Sequence, residues 1–182
     1  MDKKIIFIAG SYGVGKTTIC NQLANILKIP SYSASDLISK QNKESYGKNK
    51  YVKDSNLNQN ILVEQVSQIK DEIFIVNGHF CLKAPNNNII LLDKDIFKQL
   101  SLEAIVLIES SSELILQNLY NRDQKKYNNE FIDKLLLSEK NQAIYVSKTY
   151  NVPLYFYRMK YDGEDLKKIL LIFDNILEGG VN

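Results

Sequence analysis

The chain has 182 residues, 45% hydrophobic and 24% charged, and 23 Lys+Arg against 21 Asp+Glu give a formal net charge of +2. That length suits one α/β domain with a sizeable core, and the near-balance of charge excludes a strong nucleic-acid or membrane field. A single histidine, His79, and two cysteines, Cys20 and Cys81, exclude a disulfide framework, a spaced metal-ligand set and a histidine-based triad.

The first predicted strand is Lys4–Ala9, built on the apolar run Ile5, Ile6, Phe7 and Ile8. It leads into Gly10-Ser11-Tyr12-Gly13-Val14-Gly15-Lys16-Thr17, which fits the spacing G-x-x-x-x-G-K-[ST]. The glycines let the backbone curl so that successive N–H groups point at a phosphate chain, and the helix that starts near Lys16 adds its positive end. In this motif Lys16 reaches the β- and γ-phosphates, the Thr17 hydroxyl ligates Mg²⁺, and Gly10 through Thr18 together hold ATP or another nucleoside triphosphate. Ile19, Leu23, Ile26 and Leu27 then share one helical face, with Cys20 on its apolar side.

A second strand over Ser31–Ser33 enters a helix at Ser35-Asp36. Ser35 is a good helix N-cap, and Asp36 a first-turn carboxylate favoured by the helix dipole. Residues 40–56 are polar and without period, a flap leading into a helix marked by Leu57, Ile61, Val66 and Ile69. The third strand is Ile73–Asn77, followed by Gly78 and His79. Phe80–Leu82 and Ile89–Leu92, separated by Pro85-Asn-Asn-Asn88, read as an inserted hairpin.

A fourth parallel strand is expected over Ala104–Glu109, then a helix carrying Leu114, Ile115 and Leu119 that ends near Arg122. A longer helix carries Leu135, Leu136, Ala143, Ile144 and Val146, and a fifth strand spans Pro153–Tyr157. Leu166, Ile169, Leu170, Phe173 and Leu177 close the chain at helical spacing. Strands alternating with helices imply a three-layer fold, a five-stranded parallel sheet with helices on both faces and the ligand beyond the strands' carboxyl ends. No apolar run reaches membrane-spanning length, and Met1 leads straight into the first strand without a signal peptide; the expectation is a cytoplasmic protein.

With this layout and phosphate loop, the chain resembles the nucleoside-monophosphate kinase branch of P-loop proteins, the adenylate-kinase-like enzymes. The resemblance implies one domain over residues 1–182, with an acceptor-side flap at about 36–60 and a lid-like segment at about 120–130. It implies that Ser35 and Asp36 help form the acceptor site, that Gly78 and His79 face the acceptor, and that Lys53 meets an acceptor phosphate. His79 bonds a base or phosphate, or merely caps its strand. In the lid segment, Arg122 brings charge to the transferring phosphoryl group, with Lys125 and Lys126 as weaker candidates; the alternative is a solvated helix end. Arg158 approaches the adenine or covers the sheet. Two departures stand out. Asn77 occupies the place of an Asp that serves the Mg²⁺ shell, a task then shifted towards Asp36 or Glu109. The acceptor region also lacks the arginines that grip an acceptor phosphate.

The expected function is ATP- and Mg²⁺-dependent phosphoryl transfer to a small acceptor, with Lys16, Arg122 and Asp36 as catalytic residues and a nucleoside monophosphate as leading acceptor. A nucleoside or another small hydroxyl compound is the near alternative. A P-loop NTPase or nucleotide-binding switch without an acceptor is the alternative of a different class.

Overall fold

A computed structural model describes residues 3–42, 55–84, 88–124 and 126–179. The order begins β1 (Lys4–Gly10), α1 (Lys16–Leu27), β2 (Ser31–Ser33), α2 (Ala34–Asn42) and α3 (Ser55–Gln68). It continues with β3 (Ile73–Asn77), β4 (Cys81–Lys83), β5 (Ile89–Leu91), α4 (Lys94–Leu100) and β6 (Leu102–Glu109). The last elements are α5 (Ser112–Asp123), α6 (Asn129–Tyr150), β7 (Leu154–Arg158) and α7 (Asp165–Leu177).

Five strands form one parallel sheet in the order β2-β3-β1-β6-β7. The period-2 geometry of β1 decides the layering. Ile5, Phe7 and Ala9 face a core closed by Leu62 and Val66 of α3, Phe97 of α4, and Ala143 and Val146 of α6. Ile6 and Ile8 face the other core, with Ile19 and Leu23 of α1, Ile115 of α5 and Phe173 of α7. Because both faces are covered, β1 reads as a continuous apolar run rather than an alternating one. Each fully buried side chain of this size contributes about 1.5–3 kcal/mol of transfer free energy. Phe7 also meets Phe80 and Phe97 edge-on, at centroid distances of 5.3 and 5.5 Å.

β1 lies between β3 and β6, with β2 and β3 added on one side and β6 and β7 on the other, and the crevice beyond its carboxyl end is where open α/β sheets bind ligands. The expected insertion is an antiparallel hairpin of β4 and β5, with Leu82 opposite Ile90. Its strands are shifted slightly from expectation, to Cys81–Lys83 and Ile89–Leu91.

Three elements differ from the sequence reading. α4 was not expected; its seven residues are too few for an apolar period to repeat, although the Asp93 side chain caps it by accepting from the Asp95 N–H at 3.0 Å. β6 starts two residues early, at Leu102, because a bulge at Ile5/Ile6 absorbs Glu103. α2 starts at Ala34, so Ser35 lies inside the first turn, and it is Ser33 Oγ that accepts weakly from the Asp36 N–H at 3.4 Å. Lys53 and Lys125, together with most of the polar run before α3, lie outside the described residues. No described helix is long and apolar enough to cross a membrane.

Candidate active site

The loop between β1 and α1 is held from outside by donors to its carbonyl oxygens. Lys16 Nζ donates to Gly10 O at 2.6 Å and Ser11 O at 3.0 Å, Asn118 Nδ2 to Gly13 O at 3.0 Å, and the Tyr161 hydroxyl to Val14 O at 3.3 Å. These contacts hold the curl of the loop in place. α1 begins with Gly15 as a cap that has no side chain to offer and no acid in its first turn, so its positive end is uncompensated. Gly13 sits at φ 79°, a left-handed conformation that disfavours a Cβ. Gly10 is fixed by crowding: a Cβ there would lie 2.4 Å from the carbonyl oxygen of Ile108. Gly10→Ala is therefore expected to cost about 1–3 kcal/mol in backbone strain and to weaken ATP affinity at least tenfold, read by denaturant titration and calorimetry.

Beyond this loop opens a cavity of about 440 Å³. Gly13, Gly15, Lys16, Thr17 and Thr18 line one end, with Asn118 and Arg122 of α5 beside them. Ser33, Ala34 and Ser35, Asn58 and Gln59 of α3, and Asn77, Gly78 and His79 at the end of β3 also line it, together with apolar side chains of α2, α3, α4 and the β4–β5 hairpin. The expected residues Ser35, Gly78 and His79 thus meet the phosphate loop in one space. Asp36 does not line it: the start of α2 at Ala34 turns this side chain to the exposed side of the helix. Glu109, the other carboxylate considered for the metal, is paired with Lys140 at 3.0 Å and also lies outside the lining. Arg122 reaches the cavity, yet its guanidinium forks onto its neighbour Asp123 at 2.6 and 2.7 Å. Arg158 ends β7 and is exposed.

Magnesium fits this donor set only in part. Thr17 offers an exposed hydroxyl and Asn77 an amide that can accept from metal-bound water. Among the described residues no carboxylate lines the cavity, and no cluster of three or more His, Cys, Asp or Glu side chains is suited to a metal. The ion's charge partners would be the nucleotide's own phosphates.

The sequence reading missed Glu139. This α6 side chain is 2% exposed and accepts from the N–H groups of Gly10 at 3.2 Å, Phe80 at 2.9 Å and Cys81 at 3.0 Å. The Cys81 thiol donates to it at 3.1 Å, and His79 Nδ1 stands 4.0 Å away. Burial pushes the Glu139 carboxyl above its ordinary range, while the charge of Lys16, the thiol and the two amides of Phe80 and Cys81 pull the other way. Each bonded neighbour is a donor, which offsets part of the burial effect without reversing it. Glu139 thereby ties the phosphate loop to the segment that carries His79. Tyr12 makes a second tie: its ring lies against His79 with centroids 4.2 Å apart, and its hydroxyl meets the backbone of Lys83 in β4. Burial raises that phenol well above its usual range.

A G-x-x-x-x-G-K-[ST] loop between the first strand and first helix of a parallel sheet, at its switch point, defines the P-loop class. The AAA_17 family model, described as an AAA domain, matches residues 9–135, and the chain belongs to that family. No curated protein matches it. Among solved structures, a gluconokinase from Sinorhizobium meliloti 1021 aligns at TM-score 0.64 and 14% identity, over 96% of this chain and 94% of that one. A shikimate kinase from Bacteroides thetaiotaomicron aligns at TM-score 0.61 and 14% identity, over 94% and 98%. A shikimate kinase from Aquifex aeolicus vf5 aligns at TM-score 0.57 and 18% identity, over 97% and 99%. At these identities the likeness is one of fold, the P-loop kinase fold. It supports a P-loop kinase without singling out the adenylate-kinase-like branch.

Proposed function

We propose that this chain is a kinase that moves the γ-phosphoryl group of ATP to a hydroxyl of a small acceptor. The observation that carries the reading is a cavity that the phosphate-binding loop and several hydrogen-bonding side chains line together. Kinase folds over nearly the full chain support it. Magnesium, bound with the nucleotide and touching Thr17, would neutralise charge on the phosphate oxygens. Lys16 leaves its two loop carbonyls to meet the same oxygens, and Arg122 joins it once released from Asp123. Ser35 and His79 orient the acceptor hydroxyl in line with the phosphorus. Alignment and electrostatics supply most of the acceleration, so little covalent chemistry is asked of the protein.

A nucleoside monophosphate acceptor has less support than a plain hydroxyl compound. Lys53 lies outside the described residues, and the only charged side chains of described residues lining the cavity, Lys16 and Arg122, stand at its nucleotide end. An acceptor-free NTPase gains some support from Asn77, which brings no negative charge. Incubation with ATP and Mg²⁺, with and without monophosphates and hydroxyl compounds, separates these readings. ADP that appears only with an acceptor, beside a phosphorylated product, is the expected outcome; acceptor-independent ADP and free phosphate would mean an NTPase.

A further inference from the structure

Glu139 Oε1 is one atom bonded to two separate parts of the cavity wall. It accepts from the N–H of Gly10, where the phosphate loop begins, at 3.2 Å, and from the N–H of Phe80, next to His79, at 2.9 Å. The other oxygen, Oε2, accepts from the Cys81 N–H at 3.0 Å. Glu139 is 2% exposed and stands on the 22-residue α6, so its carboxyl group is a fixed link between the two segments. Two further contacts run in parallel with it. Gly78 N–H donates to Ile8 O of β1 at 3.0 Å, and the Tyr12 ring lies against the His79 ring with centroids 4.2 Å apart.

The backbone at Gly10 and Ser11 is also where a nucleotide acts. Lys16 Nζ holds the carbonyl oxygens of both residues, at 2.6 and 3.0 Å. When Lys16 turns to the phosphates, that hold is exchanged for the ligand while Glu139 keeps the Gly10 N–H. Any change in the mobility of the filled loop therefore reaches Phe80 through Oε1 and His79 through Tyr12. Ordering one segment in advance lowers the entropy that a ligand at the other must remove. Resting on the kinase reading above, we infer that Glu139 and Tyr12 are positioning residues that couple the two halves of the cavity. A triphosphate in the loop fixes the His79 segment for the acceptor, and an acceptor seated there tightens the nucleotide by the same factor.

The test follows amide hydrogen exchange by NMR in the full-length protein, with and without Mg²⁺ and a non-hydrolysable ATP analogue. Slowed exchange at Gly13 and Gly15 reports nucleotide in the loop, and the amides of Ile169 and Phe173 in α7 report any gain in global stability. Beyond that global gain, the His79, Phe80 and Cys81 amides are expected to slow by about fivefold or more when nucleotide binds. Glu139→Met keeps the length of the side chain without its oxygens and is expected to abolish this extra slowing. Should that variant not fold, Tyr12→Leu, which leaves Glu139 in place, is expected to reduce the slowing at His79 at least about twofold. Slowing at Gly13 and Gly15 with none beyond the α7 level at residues 79–81 would overturn the coupling and leave ATP-dependent transfer standing. So would undiminished slowing in Glu139→Met or, in its place, in Tyr12→Leu. No slowing at Gly13 and Gly15, with no thermal shift on adding the analogue, would overturn the coupling and the kinase reading together.

Discussion

Replacing Lys16 with alanine is expected to lower turnover by at least about 10³-fold. Loss of one neutral donor to a developing negative charge costs on the order of 10²–10³ in rate, and here a full positive charge on the transferring phosphate is lost. The sequence alone suggests that the fold would be indifferent to this change, but the structure does not. Lys16 is only 7% exposed, and its ammonium donates to the carbonyls of Gly10 and Ser11. Those two buried acceptors lose their partner in Lys16→Ala, so a fall in stability of about 1–3 kcal/mol should accompany the loss of activity. Turnover with saturating ATP, measured beside a urea denaturation curve, tests both. Wild-type turnover in the variant would remove Lys16 from the mechanism.

Glu139→Ala should be the most damaging change to the fold outside the apolar core. It leaves the N–H groups of Gly10, Phe80 and Cys81 buried without an acceptor and takes the opposing charge away from Lys16. Breaking a buried set of this kind costs about 3–5 kcal/mol, a large share of the roughly 5–15 kcal/mol that holds a domain together. Glu139→Gln keeps the shape and one acceptor oxygen but sets an amide against the Cys81 N–H, so a loss of about 1–3 kcal/mol is expected. The pH dependence has a definite sign. The carboxyl is raised above its ordinary 4.5 in the folded protein, so its contribution is fullest below that value and declines as pH rises through the folded one. Denaturant midpoints of wild type and Glu139→Gln, compared from acid to neutral pH, should show that slope in the wild type and a flatter line in the variant.

The parts of this site that were legible in the sequence are contiguous. The phosphate loop is eight successive residues with one spacing, and the short segments at Ser33–Ser35 and Asn77–His79 follow strands that the apolar runs locate well. Register then brings Asn77 beside both Ile8 and Ser33, which places these three segments at one end of the sheet. Glu139 was hidden because its partners lie 129, 59 and 58 positions away. A trace of it was nonetheless present: Glu139 falls in the same α6 stripe as Ile132, Leu135, Ala143 and Val146, all buried. A carboxylate in an apolar stripe seldom occurs without a partner. Asp36 lies outside the lining for a local reason: α2 begins at Ala34, two residues before the first helical position that a Ser35 cap would set, and Asp36 falls on its exposed side.

The hairpin after β3 began as an interruption in an otherwise regular alternation, yet two of its attachments lead back to the nucleotide loop. Phe80 and Cys81 lend their amides to Glu139, and Lys83 meets Tyr12 through its backbone. A shortened descendant of this protein, pared down to a plain sheet and its covering helices, would therefore forfeit the brace behind its own triphosphate grip.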